Sequence, residues 1–453
     1  MSELNQFLHA RLQEGEESES GDFKLDREGA VRKTAAHQIS QPGYWALKVI
    51  QALVAGGEGV EIRVKLGRKR TVFQAGTFAG WPTEEIEERF WLLESDPERS
   101  FQHLKTGLWN VGMHQGRCFT IGLPGKVELH WNGRAFERRE SRVARESFSL
   151  TVDHLEPGLS VWAMKGWRAA HREIASVSQA LSGRGICCPV PLYLGGRRLD
   201  ALYLCPYHGA CGTSAVPMAI GFVSAGEPRW TVSRGTFEGL NWRDKLKTRA
   251  QFRRSVEEAI EAAAPVEQTW LAYLYTAGLS ETGGKNSELV IQAKNSRCNW
   301  VMDGVVVHRE NFLKESTRVS VGVFLSAEGL ETDLTTLNLR QSEARTGRYK
   351  AAISAMLEPL NEQQQFDLSY VLEQEKGKDR AEAMSLAFGA LVLPPLGLFM
   401  VKDIRDQFRN AGEQGRQVIE EVLSGQGELA EKWSAYARSL GIEESGTLDT
   451  NTL

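Results

Sequence analysis

The sequence is poor in the features that would assign it at a glance. Six cysteines in 453 residues are too few for a disulfide framework, so reduced thiols or a metal site are expected. No block of lysine and arginine dominates and the formal net charge is −4, which argues against a dedicated nucleic-acid surface. The local exception is "KLGRKR", Lys65 to Arg70, whose simplest role is a charged hairpin connection. The first residues, "MSELNQFLHARLQEGEESESGD", carry neither the basic nor the apolar segment of a secretory leader, and a cytoplasmic location is expected. The chain has no G-x4-G-K-S/T phosphate loop and no strand-bounded G-x-S-x-G nucleophile element. Nor does any stretch of roughly 20 to 50 residues repeat.

What is present is apolar content enough for sizeable cores, 42% of the chain, spread over a length that predicts about two to four domains. "YWALKVIQALVAGGEGVEIRV", Tyr44 to Val64, has bulky residues at Trp45, Val49, Leu53 and Val54, then glycines, then alternation. That pattern predicts an amphipathic helix, a glycine stop and a strand. "RTVFQAG" predicts a second strand, "TEEIEERFWLLE" and "FQHLKTGLWNVGMH" two helices, and "RCFTIGL", "KVELHWNG" and "AFERRE" three more strands joined by tight turns. Further along, "WRAAHREIASVSQALS" and "RRSVEEAIEAA" are helical in spacing. "CNWVMDGVVV" alternates around a turn at "MDGV", and the remainder turns helical near residue 345.

The expected fold class is α+β: an N-terminal α/β sandwich, a middle α/β domain and a helical C-terminal region. The boundaries drawn are an arm at 1–21, the sandwich at 22–150, a middle region at 151–240, and a second α/β region at 241–344. That second region is drawn as open to sharing the middle sheet, and the helical region covers 345–453. Within the last region Ala383 to Val401 carries no charged residue and approaches bilayer-spanning length. Pro394 and Pro395 interrupt it, so two buried helices around a turn are preferred over membrane insertion or an apolar oligomer contact.

Taken in order, "YWALKVIQALVAGGEGVEIRV", "RTVFQAGTFAG" and "HLKTGLWNVGMHQGRCFTIGL" resemble the elements of the ATPase fold shared by gyrase, MutL, the 90-kDa heat-shock chaperone and histidine kinases. The resemblance covers about 100 residues and is nearest to chaperone-like bacterial proteins. It implies a magnesium-holding asparagine on the first helix, a water-polarising glutamate one turn earlier, and a later aspartate for adenine. At the corresponding positions this chain has Gln51 for the asparagine, Leu47 for the glutamate and Val54 for the aspartate that follows on the helix. "FQAGTFAG" offers no acid for adenine. Leucine has no lone pair to accept a proton from water, so general-base catalysis has no candidate there. No catalytic residue is therefore expected and ATP binding is disfavoured. Were nucleotide binding retained, Gln51, Gln74, Gly76, Gly80 and Gly107 would line it. The resemblance also implies a basic residue from the middle region near the terminal phosphate, for which Lys294 and Arg297 are the candidates.

A separate constellation, Cys187, Cys188, Cys205, His208 and Cys211, has C-x2-H-x2-C spacing in its second half and suits a structural zinc. Its alternative is a set of small core thiols. His103 and His114 flank the lid-like helix, where surface or interface roles are favoured over catalysis. Trp81, Trp91, Trp109, Trp162, Trp167 and Trp230 are assigned to packing. The functional expectation is a non-catalytic, chaperone-like scaffold or protein-interaction component of a bacterial multiprotein system, with defence among the settings considered. Its partners would be other proteins or further copies of the chain. The alternatives are a divergent ATP-binding enzyme using Glu58 or Glu61, or an ATP-driven conformational switch, and a membrane-associated effector using the apolar C-terminal segment.

Overall fold

The computed structural model describes residues 27–39, 41–57, 61–76, 81, 83–156, 164–200, 213–223, 230–232, 266–281, 289–333, 337–361, 417 and 420–442. Two helices open it, α1 (Arg27–Gln38) and α2 (Tyr44–Gly56). The second is buried without a break from Trp45 to Leu53. A helix with one apolar stripe would turn its polar residues to solvent; α2 instead carries Lys48 and Gln51 into the interior.

An eight-stranded sheet follows, in the order β5-β4-β3-β6-β2-β1-β7-β8. Its strands are β1 (Ile62–Leu66), β2 (Arg70–Ala75), β3 (Phe119–Gly122), β4 (Gly125–Trp131), β5 (Phe136–Arg145), β6 (Phe148–Asp153), β7 (Leu192–Leu194) and β8 (Arg197–Arg198). Interposed are α3 (Thr83–Phe90), α4 (Arg99–Trp109), a π turn (Asn110–His114) and α5 (Met164–Arg184). Every neighbouring pair is antiparallel except β1 with β7. That one parallel pair needs a crossover, and α5 lies within it.

Alternation sets the two faces. Ile62, Val64, Phe73 and Ala75 point into the core, where Phe73 meets Trp45 of α2 edge-on with ring centroids 5.7 Å apart. Arg63, Lys65 and Gln74 point away from it, exposed or half-buried. The basic hairpin expected at Lys65 to Arg70 is the exposed β1–β2 connection.

The boundary expected at residue 150 falls inside β6, which pairs with both β2 and β3 in the middle of the sheet. The chain stays in this sheet to β8, so the first unit runs on to residue 198. A strand's own residues state its alternation but not its partners, so a boundary drawn from sequence can fall within a strand.

The second sheet has the order β13-β12-β16-β14-β15, with β9 on the other side of β12. Its strands are β9 (Thr213–Val223), β12 (Leu271–Glu281), β13 (Leu289–Gln292), β14 (Arg297–Met302), β15 (Val305–Asn311) and β16 (Val319–Ser326). The short strands β10 (Trp230–Val232) and β11 (Val266–Thr269) pair with each other. Beyond it come α6 (Glu343–Ala355), capped by the Ser342 hydroxyl accepting from Arg345 N–H, then α7 (Leu357–Asn361) and helical residues 420–439. These C-terminal helices share one core with the second sheet. Trp433 is fully buried and lies 4.7 Å, ring to ring, from Phe312. The regions drawn as 241–344 and 345–453 therefore meet in a common interior. The boundary near 240, the helix at "RRSVEEAIEAA" and the apolar run from Ala383 to Val401 lie outside the described residues. Among the described residues no helix is long and apolar enough to cross a membrane.

Candidate functional site: the α2–α4 crossing

Helices α2 and α4 cross at Gly107. A Cβ added there would lie 3.1 Å from the Trp45 carbonyl oxygen and 3.2 Å from Lys48 Cβ, so glycine permits the close approach. Just beyond this crossing, the tip of the β14–β15 hairpin reaches the first unit. Its turn is Met302-Asp303-Gly304-Val305, with φ of 47° at Asp303 and 73° at Gly304. Two successive left-handed residues make the tight hairpin turn that Asp-Gly favours, and "MDGV" had signalled it. At Gly304 the space is also closed, since an added Cβ would lie 2.8 Å from Pro189 Cδ and 3.4 Å from Val54 Cγ2.

The turn is held by polar groups from both helices. Gln51 Nε2 donates to the Met302 carbonyl at 3.0 Å, and Gln51 Oε1 accepts from Lys48 Nζ at 2.9 Å. From α4, His103 Nε2 and Arg99 Nη2 each lie 2.8 Å from Asp303 Oδ2. These two residues stand one helical turn apart at the α4 N-terminus, where the helix dipole also favours a carboxylate. Arg99 reaches Glu328 of the second unit as well, at 3.5 Å.

Burial controls the protonation of this cluster. It pulls the Lys48 ammonium down from 10.5 to about 7, against the opposing pull of Asp303 and Asp333 and with a further push from Arg99. It takes His103 down from 6.5 to about 4, although the Asp303 hydrogen bond works the other way. His103 is consequently neutral at pH 7, and a neutral imidazole facing a carboxylate donates through Nε2–H.

A second polar centre lies one turn back on α2. Trp45 Nε1 donates to Glu173 Oε1 at 2.8 Å, and Arg117 Nη2 meets Glu173 Oε2 at 2.7 Å. Burial pushes the Glu173 carboxyl up, but the Arg117 hydrogen bond and charge, with help from Trp45, leave it below its ordinary value. Nearby, His154 Nε2 and the Thr71 hydroxyl are 2.9 Å apart.

The residues expected to line a nucleotide are distributed as follows. Gln51 and Gly107 come together at the crossing, but Gln51 is fully buried and both of its amide ends are engaged. Gln74 alternates with core-facing Phe73 and sits on the opposite face of the sheet. Gly76 is exposed past the end of β2, and Gly80 lies outside the described residues. Leu47 is in the core, and Val54 packs at the rim of the same core beside Gly304. Lys294 bridges to Thr317 through the backbone and Arg297 is exposed at the start of β14. Of the acids considered for a divergent enzyme, Glu61 pairs with Arg63 and Glu58 lies outside the described residues.

For the metal candidates, Cys187 and Cys188 are buried side by side after α5, while Cys205, His208 and Cys211 lie outside the described residues. Burial, then the neighbouring Asp200, push the Cys188 thiol well above its ordinary value, which keeps it protonated and opposes its use as a thiolate ligand. Among the described residues no group of three histidine, cysteine or acidic side chains is placed to hold a metal. Of the tryptophans assigned to packing, Trp81 and Trp109 are buried, but Trp167 on the first turn of α5 is 47% exposed.

Sequence reasoning picked out His103 and the 303–304 turn and passed over Lys48, Arg99 and Asp303. The sequence signal for Lys48 is slight: Trp45, three residues back, shares its face, whereas Leu47, Val49 and Ile50 lie on other sides of the helix. The chain matches no known protein family, and comparison with curated proteins finds no similar one. Fold and site together define a mixed α/β protein in which a hairpin of the second sheet is seated on the helices of the first.

Proposed function

We propose that this chain is a non-catalytic, ATPase-like scaffold that works by assembling with other proteins, in a chaperone-like role. The observation that carries the reading is the fate of three positions on α2 where the ATPase resemblance requires chemistry. Leu47 lies in the core, Gln51 spends its amide on Lys48 and the Met302 carbonyl, and Val54 abuts Gly304. A face that would meet nucleotide and magnesium meets a protein turn instead. An amide already satisfied by two partners has little left for a metal ion, which prefers several oxygen ligands in fixed geometry. Support for protein partners comes from Met164 and Trp167, three residues apart on α5, which leave apolar surface at 69% and 47% exposure.

Calorimetric titration of the full chain with ATP and magnesium tests the reading. No saturable heat is expected. Micromolar binding that disappears in Gln51→Ala would overturn it.

A further inference from the structure

Arg99 and His103, one turn apart on α4, converge on one carboxylate oxygen of Asp303, and Lys48 of α2 lies within the field of the same acid. We infer that they form an oxyanion-binding site in which Asp303 is the resident anion, so that an external carboxylate or phosphate competes with the hairpin turn for the same donors. The inference stands on the cluster's geometry and does not rest on the scaffold reading.

The donor set is that of an anion receptor. His103 Nε2 hydrogen-bonds Asp303 Oδ2 at 2.8 Å, a bond strengthened by the acceptor's charge, and the Arg99 guanidinium forms an ion pair with the same oxygen at 2.8 Å. They project from the first turns of α4, where backbone N–H groups and the helix dipole favour negative charge. Lys48 and His103 are both more than nine-tenths buried, so the His103 bond to Asp303 and the field of a charged Lys48 are little screened by salt. The two acids that compete from the surroundings are Glu328, which meets Arg99, and Asp333, whose field reaches Lys48.

The resident anion is presented on a minimal element. Asp303 is the only non-glycine residue with positive φ among the described residues, and it sits at the tip of a two-residue turn. A hydrogen bond from Gln51 to the Met302 carbonyl also joins the turn to α2. The hairpin body is secured independently, by Arg184 donating to the Val306 and Val307 carbonyls and by Val305 in the first core. Asp303 can thus release its donors through a local change at the turn while β15 stays in place. Occupancy by an outside anion would loosen one of the contacts that hold the two sheets in register.

The test uses the full chain and two variants, Asp303→Asn and Asp303→Gly. Both tolerate the left-handed backbone and neither supplies a charge. Thermal unfolding is followed with sodium phosphate, sodium acetate and sodium chloride at matched ionic strength. The variants are expected to bind phosphate or acetate at least tenfold more tightly than the parent, and to be stabilised by them and not by chloride. Selectivity between the phosphate and acetate arms tells which oxyanion the site prefers. Adding Arg99→Gln to Asp303→Asn should abolish the response. Binding should strengthen from pH 8 to pH 6 as Lys48 takes up its proton in the presence of Arg99, His103, Asp333 and Gln51. In the parent, hydrogen exchange at residues 302–305 should quicken with phosphate. If a variant folds poorly, recovery with phosphate or acetate supports the site and equal recovery with chloride overturns it. An unchanged response with Arg99→Gln, or parent and variants binding equally, also overturns it.

Discussion

Helix α2 carries two buried polar centres about one turn apart, and they are built on opposite plans. At its start, Trp45 and Arg117 satisfy the Glu173 carboxylate within the first unit. One turn on, Lys48 and Gln51 join with Arg99 and His103 to hold a turn delivered from the second sheet. The first centre neutralises its acid by an opposite charge in direct contact, and Glu173 stays ionised despite burial. The second places a lysine in a dry interior with acids near but not dominant, and burial wins by enough to bring its titration to about 7. Permanent pairing fixes structure. A group that titrates at working pH, in a contact between two sheets, leaves that contact responsive.

The sharpest way to break this contrast is to remove the acid from the first centre. Glu173→Ala strands the Arg117 charge in a poorly solvated site, and loss of one partner of a buried pair costs about 3–5 kcal/mol. Urea unfolding should show that loss. The double change Glu173→Leu with Arg117→Met should recover part of it, since neither charge then remains. Equal destabilisation by the single and double changes would mean that packing, and not charge, is what Glu173 contributes.

Next in size is the acid limb set by His103. Its folded value of about 4 lies below the ordinary 6.5, so between these pH values the unfolded chain binds more protons than the folded one. Stability therefore falls as pH drops from 6.5 to 4 and levels out below that. The shift corresponds to about 3 kcal/mol. His103→Gln, which keeps an N–H for Asp303 and does not titrate, should flatten this part of the stability profile. No flattening would show that other groups set the acid limb.

Much of the frame that carries these centres was legible. Alternation located β1, β2, β3 and β4, and "MDGV" gave the turn whose tip is Asp303. The contact between Gln51 and Met302 was not, because 251 residues separate the two in the chain and no local pattern encodes such a pairing. The burial of Lys48 escaped for a related reason. Apolar spacing marks which side of a helix faces its sheet, but α2 is covered on its remaining sides by α4, α5 and the turn. Reading only one stripe, sequence assigned solvent to a side that tertiary structure fills. The same limit displaced the first boundary from 150: β6 lies between strands that sequence order places before it, and pairing order is a tertiary fact.

Lys48 adds an alkaline limb: its fall from 10.5 to about 7 corresponds to about 5 kcal/mol across that range. Its folded value of about 7 lies below 10.5, so the parent gains stability as pH rises between them and is flat below pH 7. Lys48→Met removes a charge buried at cost and should be the more stable form at pH 6, by about 2 kcal/mol. That advantage should shrink from pH 7 upward and reverse in favour of the parent before pH 10. A constant difference across this range would mean that Lys48 does not titrate in the fold. Smaller again is Gln51→Leu. It leaves the Met302 carbonyl without this donor and removes one acceptor from Lys48, a loss of about 1–2 kcal/mol for unmade buried hydrogen bonds. With Lys48 neutral in the fold above pH 7, that loss should not change between pH 8 and 9.5. A Gln51→Leu penalty that grew as pH fell from 8 to 6 would show that the amide helps hold the Lys48 proton, and that the second centre titrates as a network instead of through one lysine.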